Sequence, residues 1–285
     1  MKVADIMSAP VICMHSTEPV AHARNLMLRH RIKHIVVLEK GKPVATLSMK
    51  DLIRAMLAER GASYKWRSID DFPTSRAIKS KLIVADPSTH ISKAASMMLK
   101  HGTSSILIMK NDELIGILTK TDVVRYFASN MAGLAKVVAL MTSKIITANR
   151  QHSLRHILDL MEQNEVGRVV IADGEKPLGI VTAADVVFAQ LETPEGGAPQ
   201  QMVRFTRKAE RASRPRYRYI KSVSITAENV MGAKLFTIAA DEDAAIAADV
   251  MLENNVGGLP VVEDDKLLGI ITKTDIMRKV AEIGD

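Results

Sequence analysis

Gly116-Ile117-Leu118-Thr119-Lys120-Thr121-Asp122 is the stretch on which the reading of this chain turns, because it occurs four times. The other copies are Ala45-Thr46-Leu47-Ser48-Met49-Lys50-Asp51, Gly179-Ile180-Val181-Thr182-Ala183-Ala184-Asp185 and Gly269-Ile270-Ile271-Thr272-Lys273-Thr274-Asp275. In each, an apolar run ends in Ser or Thr and an Asp follows three positions later. A methionine stands 21 residues before every hydroxyl residue, at Met27, Met98, Met161 and Met251. Ungapped recurrence at one distance defines an internal repeat, which has to be read before any local propensity.

Outward from that phrase the four copies keep the same layout. Short apolar stretches open at Val11, Leu82, Ile145 and Leu235 and read as brief strands. A polar turn and an amphipathic helix follow, with Leu154, Ile157, Leu158 and Met161 at helical spacing in the third copy. A second strand is expected over 35–38, 106–109, 169–171 and 259–262. After a hairpin turn a third strand enters the phrase, and a second helix leaves it from the Asp. The unit is β-α-β-β-α, about 55 residues long, too small to bury much surface alone, so units are expected to pair.

Composition bounds the remainder. A chain of 285 residues has room for about two ordinary domains. Aromatics make up 4% of it, so the cores must be aliphatic. Cys13 is the one cysteine, which rules out an internal disulfide and a cysteine metal cluster and suits a reducing cytoplasm. No apolar leader opens the chain, so no secretory signal is expected. No stretch approaches the roughly 20 apolar residues of a membrane span. His30/His34 and His152/His156 stand four apart without an HExxH pattern, and neither a phosphate-binding Gly-rich loop nor a Ser-His-Asp or Cys-His arrangement is present. Catalysis is not expected.

The phrase itself supports two readings. Ser/Thr-x-x-Asp at a helix start is a capping box with a short acid: the hydroxyl accepts from free amides and the carboxylate complements the helix dipole. That structural role is worth about 0.5–2 kcal/mol per helix. The same geometry can serve a ligand, since a helix N-terminus attracts a phosphate and a carboxylate can hold paired ribose hydroxyls.

With its lead-ins Asp5-Ile6-Met7, Ala139-Leu140-Met141 and Asn229-Val230-Met231, the phrase resembles the cystathionine β-synthase (CBS) domain family. The resemblance covers nearly the whole chain outside two inserts and implies an α/β fold. Four CBS repeats would pair into two Bateman modules that stack as a disc, similar in layout to the gamma subunit of the AMP-activated protein kinase and to stand-alone archaeal four-CBS proteins. The boundaries expected are 1–59, 78–130, 131–190 and 227–285 for the repeats, with a basic and aromatic linker over 60–77 and a basic insert over 191–226. The resemblance implies that Ser48/Asp51, Thr119/Asp122, Thr182/Asp185 and Thr272/Asp275 touch the ribose and phosphate of an adenosine ligand: AMP, ADP, ATP or an S-adenosyl compound. No cofactor is required. Copy one departs from the pattern, with Ala45 for Gly and Ser48 for Thr. Relatives often carry a phosphate-touching basic pair just before the second strand. Lys33-His34 and Gly167-Arg168 stand there in copies one and three, whereas Ser104-Ser105 and Gly257-Gly258 supply no charge. The alternative for Lys33, His34 and Arg168 is that they are solvated turn residues.

The net charge of +7 is concentrated in the second insert. Arg204, Arg207, Lys208, Arg211, Arg214, Arg216, Arg218 and Lys221 face one acid there, Glu210, and Phe205, Tyr217 and Tyr219 are threaded among them. Guanidiniums for phosphates and rings for bases suit single-stranded or looped RNA. Packing against the repeats, or an acidic protein, are the alternatives. Some archaeal four-CBS proteins are associated with idle ribosomes, so the resemblance makes a ribosomal subunit a specific expectation. The sequence thus points to a non-enzymatic, cytoplasmic regulatory protein. Its expected partners are an adenine nucleotide, RNA or a ribosome, a regulated protein and a second copy as a homodimer, but no membrane. An RNA-binding factor that uses the repeats only as scaffold is the second hypothesis.

Overall fold

A computed structural model describes residues 1–58, 73–78, 82–189, 202–205, 220–223, 225–232 and 234–283. Repeat 1 runs β1 (Cys13–His15), α1 (Val20–His30), β2 (His34–Glu39), β3 (Lys42–Ser48) and α2 (Met49–Ala58). Repeat 2 follows as β4 (Val84–Ala85), α3 (Ile91–Lys100), β5 (Ser105–Lys110), β6 (Glu113–Thr119) and α4 (Lys120–Asn130). After the short α5 (Val137–Leu140), repeat 3 comprises β7 (Thr147–Ala148), α6 (Leu154–Gln163), β8 (Arg168–Asp173), β9 (Lys176–Thr182) and α7 (Ala183–Ala189). A two-stranded antiparallel ribbon, β10 (Met202–Phe205) with β11 (Ile220–Val223), and the short α8 (Ala227–Val230) precede repeat 4. That repeat consists of β12 (Ile238–Ala239), α9 (Ala244–Glu253), β13 (Gly258–Glu263), β14 (Lys266–Thr272) and α10 (Lys273–Glu282).

Each repeat builds one three-stranded sheet in which the opening strand pairs parallel to the second, and the second pairs antiparallel to the third. The βαββα unit and the α/β class are as expected. Opening strands are shorter than the apolar stretches: Val11 and Leu82 precede the ladder and pack in one cluster with Val36 and Leu107. Lys40-Gly41, Asn111-Asp112 and Asp264-Asp265 all have positive φ, the turn that joins right-twisted strands through two residues. Each hairpin carries a register shift at the same place, for example between Ile108 and Met109, which adds local twist.

Two compact units form, Met1–Lys144 with Phe236–Asp285, and Ile145–Leu235. In the first, helices of repeats 2 and 4 share one core. Ala94, Ala95, Ala247 and Ala248 are buried in it around Met98, Met251 and Phe127, small side chains letting the helices approach closely. Ile106 and Ile108 face that core, while Leu107 points the other way and meets Val36 of repeat 1. The period of two therefore places β2 and β5 back to back, and both faces of β5 are apolar because both are covered. In the second unit Ile157, Val169, Ile171, Val181 and Val186 form the core of repeat 3.

The lead-ins are exchanged. Residues 1–8 dock on repeat 2: the Val3 amide donates to the Thr89 carbonyl at 2.9 Å, and Ser8 bridges Ile117. The equivalent segment before repeat 2 docks on repeat 1, with Thr74 and Ser75 donating to Glu18 and Ser16 at 2.9 and 3.0 Å. In the same manner α5 lies on repeat 4, where Val137 donates to Glu242, and α8 lies on repeat 3, where Ala227 donates to His152.

Candidate functional site

Backbone register gathers the residues that the sequence singles out. Ser48, Thr119, Thr182 and Thr272 end β3, β6, β9 and β14, and each opens the following helix as its N-cap position. Opposite them in the ladder stand His34, Ser105, Arg168 and Gly258. The carbonyls of Lys33, Ser104, Gly167 and Gly257 accept from the first amide of the following helix, at 3.0, 2.9, 3.3 and 3.2 Å. The basic-pair position is thus fastened to the helix mouth in all four repeats. Lys33 and His34 are placed there in repeat 1, and Arg168 in repeat 3.

The hydroxyl and carboxylate form one box. Thr119 donates through its amide and its hydroxyl to Asp122 Oδ2, at 2.8 and 2.6 Å. The values are 2.7 and 2.7 Å for Thr182/Asp185, and 2.8 and 2.7 Å for Thr272/Asp275. Ser48 and Asp51 make the same pair despite the departures of copy one. In each box the amide and hydroxyl of the Ser or Thr occupy one carboxylate oxygen, which leaves the other oxygen for further partners.

The other oxygen has a partner that the motif reading missed. Arg125 donates to Asp122 Oδ1 and Arg278 to Asp275 Oδ1, both at 2.9 Å, and Arg54 reaches Asp51 at 3.2 Å. The Asp-x-x-Arg spacing, one helical turn, was the available signal. Phe188 occupies that position in repeat 3. Asp122 and Asp275 are 4% exposed, and Ser8 from the exchanged lead-in also donates to Asp122 Oδ1 at 3.3 Å.

Between repeats 1 and 2, His34 Nε2 and Ser104 Oγ are hydrogen-bonded at 2.6 Å. Burial pushes the His34 imidazole down to about 4; the Asp51 and Asp122 carboxylates oppose this, while Lys120 and Lys33 add to it. At neutral pH it is an uncharged hydrogen-bonding group. Ser105 is 2% exposed and its hydroxyl has no hydrogen-bond partner among the described residues. The hydrogen-bonding side chains gathered at this contact, His34, Ser104 and Ser105, are therefore neutral.

Of the basic insert, Arg204 and Lys221 lie opposite each other in the ladder of the ribbon. Arg207, Lys208, Arg211, Arg214, Arg216, Tyr217, Arg218 and Tyr219 lie outside the described residues, as does most of the 60–77 linker. Among the described residues no group of three or more His, Cys, Asp or Glu could hold a metal ion, and no helix is long and apolar enough to cross a membrane.

Repeated βαββα units, exchanged lead-ins and a hydroxyl–carboxylate box at the second helix of each repeat mark a tandem-repeat module. The CBS domain model matches residues 3–58, 71–129, 137–192 and 227–282, and the chain belongs to that family. Among curated relatives it is 30% identical over 287 residues to the uncharacterized protein MJ1404 of Methanocaldococcus jannaschii, covering 99% of this chain and 62% of that protein. It is 22% identical to an uncharacterized 33.4 kDa protein in the ribosomal RNA operon of Thermofilum pendens, covering 96% of this chain and 89% of that protein. The fold matches the crystal structure of MJ1225 from Methanocaldococcus jannaschii with a TM-score of 0.78 at 17% identity, covering 98% and 99% of the two chains.

Proposed function

We propose that this protein is a non-enzymatic regulator that binds adenosine-containing nucleotides at the mouths of its second helices and meets RNA, a ribosomal subunit in particular, through the basic insert. The observation that carries the first half is the four-fold recurrence of the hydroxyl–carboxylate box beside the position that bears Lys33, His34 and Arg168. Ser48/Asp51, Thr119/Asp122, Thr182/Asp185 and Thr272/Asp275 hold the ribose and the first phosphate; Lys33 and Arg168 supply charge, and His34 a neutral hydrogen bond. AMP, ADP, ATP and S-adenosyl compounds are the ligand classes. Support comes from the family and from MJ1225, described as a proposed archaeal homologue of the gamma subunit of AMPK.

Titration calorimetry with those four ligand types tests the reading. Binding that is lost stepwise as each Asp is changed to Asn is expected, and no heat from any ligand defeats it. The RNA half rests on the arginine-rich, aromatic-bearing insert, and a relative encoded in a ribosomal RNA operon fits it. Packing against the repeats, or contact with an acidic protein, are the alternatives for the same insert. The reading places the protein in the cytoplasm.

A further inference from the structure

The helix mouths of repeats 2 and 4 pose an electrostatic problem. Their basic-pair positions hold Ser104-Ser105 and Gly257-Gly258, without charge. The amides of the mouth are also largely committed: that of Lys120 goes to Ser104, and the third amide of α4 goes to Thr119. In repeat 4 the amides of Lys273 and Thr274 go to Gly257 and Thr272. A phosphate arriving there would need a side-chain cation.

A lysine directly after the hydroxyl residue of the phrase occurs only in the two repeats that lack the basic pair. Repeats 2 and 4 both read Thr-Lys-Thr-Asp, while repeats 1 and 3 have Met49 and Ala183 in place of the lysine. These two lysines do not stay at their own helix. Lys120 Nζ donates to Thr274 Oγ1 of repeat 4 at 2.9 Å, and Lys273 Nζ reaches Thr121 Oγ1 of repeat 2 at 3.4 Å. Each ammonium is delivered to the residue next to the other repeat's Asp, Asp275 or Asp122. Lys273 is 8% exposed, so its charge is held in a weakly screened setting where an anion gains most from it.

We propose that the two lysines serve in trans: Lys273 supplies the positive charge for the phosphate of a nucleotide whose ribose Asp122 holds, and Lys120 does so for the phosphate of one whose ribose Asp275 holds. The inference rests on the nucleotide-binding reading and deepens it. Repeats 2 and 4 take a phosphorylated adenosine in preference to adenosine itself, and each site is complete only when the helices of the other repeat are packed against it.

The test uses the full chain with Asp51→Asn and Asp185→Asn, so that only repeats 2 and 4 are read. Adding Asp275→Asn leaves the repeat 2 site, and adding Asp122→Asn leaves the repeat 4 site. Calorimetry with adenosine and AMP gives an affinity ratio for each. Lys273→Met should lower the AMP-to-adenosine ratio by about tenfold or more at the repeat 2 site and leave the ratio at the repeat 4 site as it was. Lys120→Met should do the reverse and serves as an independent variant if Lys273→Met fails to fold. An unchanged ratio, or a loss confined to the lysine's own repeat, overturns the inference. No binding of adenosine or AMP by the Asp51→Asn, Asp185→Asn chain also overturns the inference, whereas a wild-type chain that binds neither overturns the nucleotide-binding reading instead.

Discussion

A β-carbon added at Gly179 or Gly269 would stand 2.9 or 2.6 Å from the sulfur of Met231 or Met141, and one at Gly116 would be closer still to that of Met7. The glycine of the repeated phrase is thus a seat for the methionine of an exchanged lead-in. Repeat 1 changes both members together: Ala45 holds the seat, and Ile78, the shorter residue at the lead-in position, packs against the same core. Gly116→Ala should cost about 1–3 kcal/mol in urea unfolding, and adding Met7→Ile should recover most of it. Additive losses would break the link. His34 gives a second expectation at this scale. Its imidazole takes a proton near pH 6.5 when unfolded but only near pH 4 in the fold. The stability that comes from keeping it neutral is full above pH 6.5 and lost as pH falls toward 4, because the unfolded chain binds the extra proton. Between pH 7 and 4.5, wild type should lose about 2 kcal/mol more than His34→Gln, which keeps a hydrogen-bonding group beside Ser104. Equal losses would place the acid sensitivity elsewhere.

Exchange of the lead-ins sets what each element depends on. Removing residues 1–8 takes the Ser8–Ile117 bridge and the Met7 side chain away from β6. Hydrogen exchange should then quicken over 114–118 in repeat 2, while β3 of repeat 1 keeps its protection. Faster exchange in β3 instead would contradict the docking. The sequence could not disclose this arrangement. Val3-Ala4-Asp5-Ile6-Met7 reads as a start for the residues that follow it, and its apolar partners, such as Ile91, lie more than eighty residues further along. Helices and strands were legible because their periodicity and capping residues are local. The crossing of Lys120 and Lys273 was not, since it depends on which repeats put their helices together.

For the whole molecule, the division between near-neutral repeats and a basic insert has a measurable consequence. If the insert neutralises several RNA phosphates, log K should fall against log salt with a slope of roughly 0.7–0.9 per contact. Changing Arg214, Arg216 and Arg218 together to Ala should flatten it; an unaltered slope would remove the insert from RNA binding. The pairs Ser48/Asp51 through Thr272/Asp275 were legible as boxes at helix mouths because type and spacing recur. Arg54, Arg125 and Arg278 repeat at a fixed three-residue distance from the Asp, a signal that stood in plain view beside the phrase. The reciprocal docking of α5 on repeat 4 and α8 on repeat 3, like that of the first two lead-ins, also governs how such a chain can be divided. A boundary drawn between repeats 1 and 2, or between repeats 3 and 4, strips both neighbours of a docked segment, and one drawn between repeats 2 and 3 opens the core that repeats 2 and 4 share, so no single cut leaves two whole pieces.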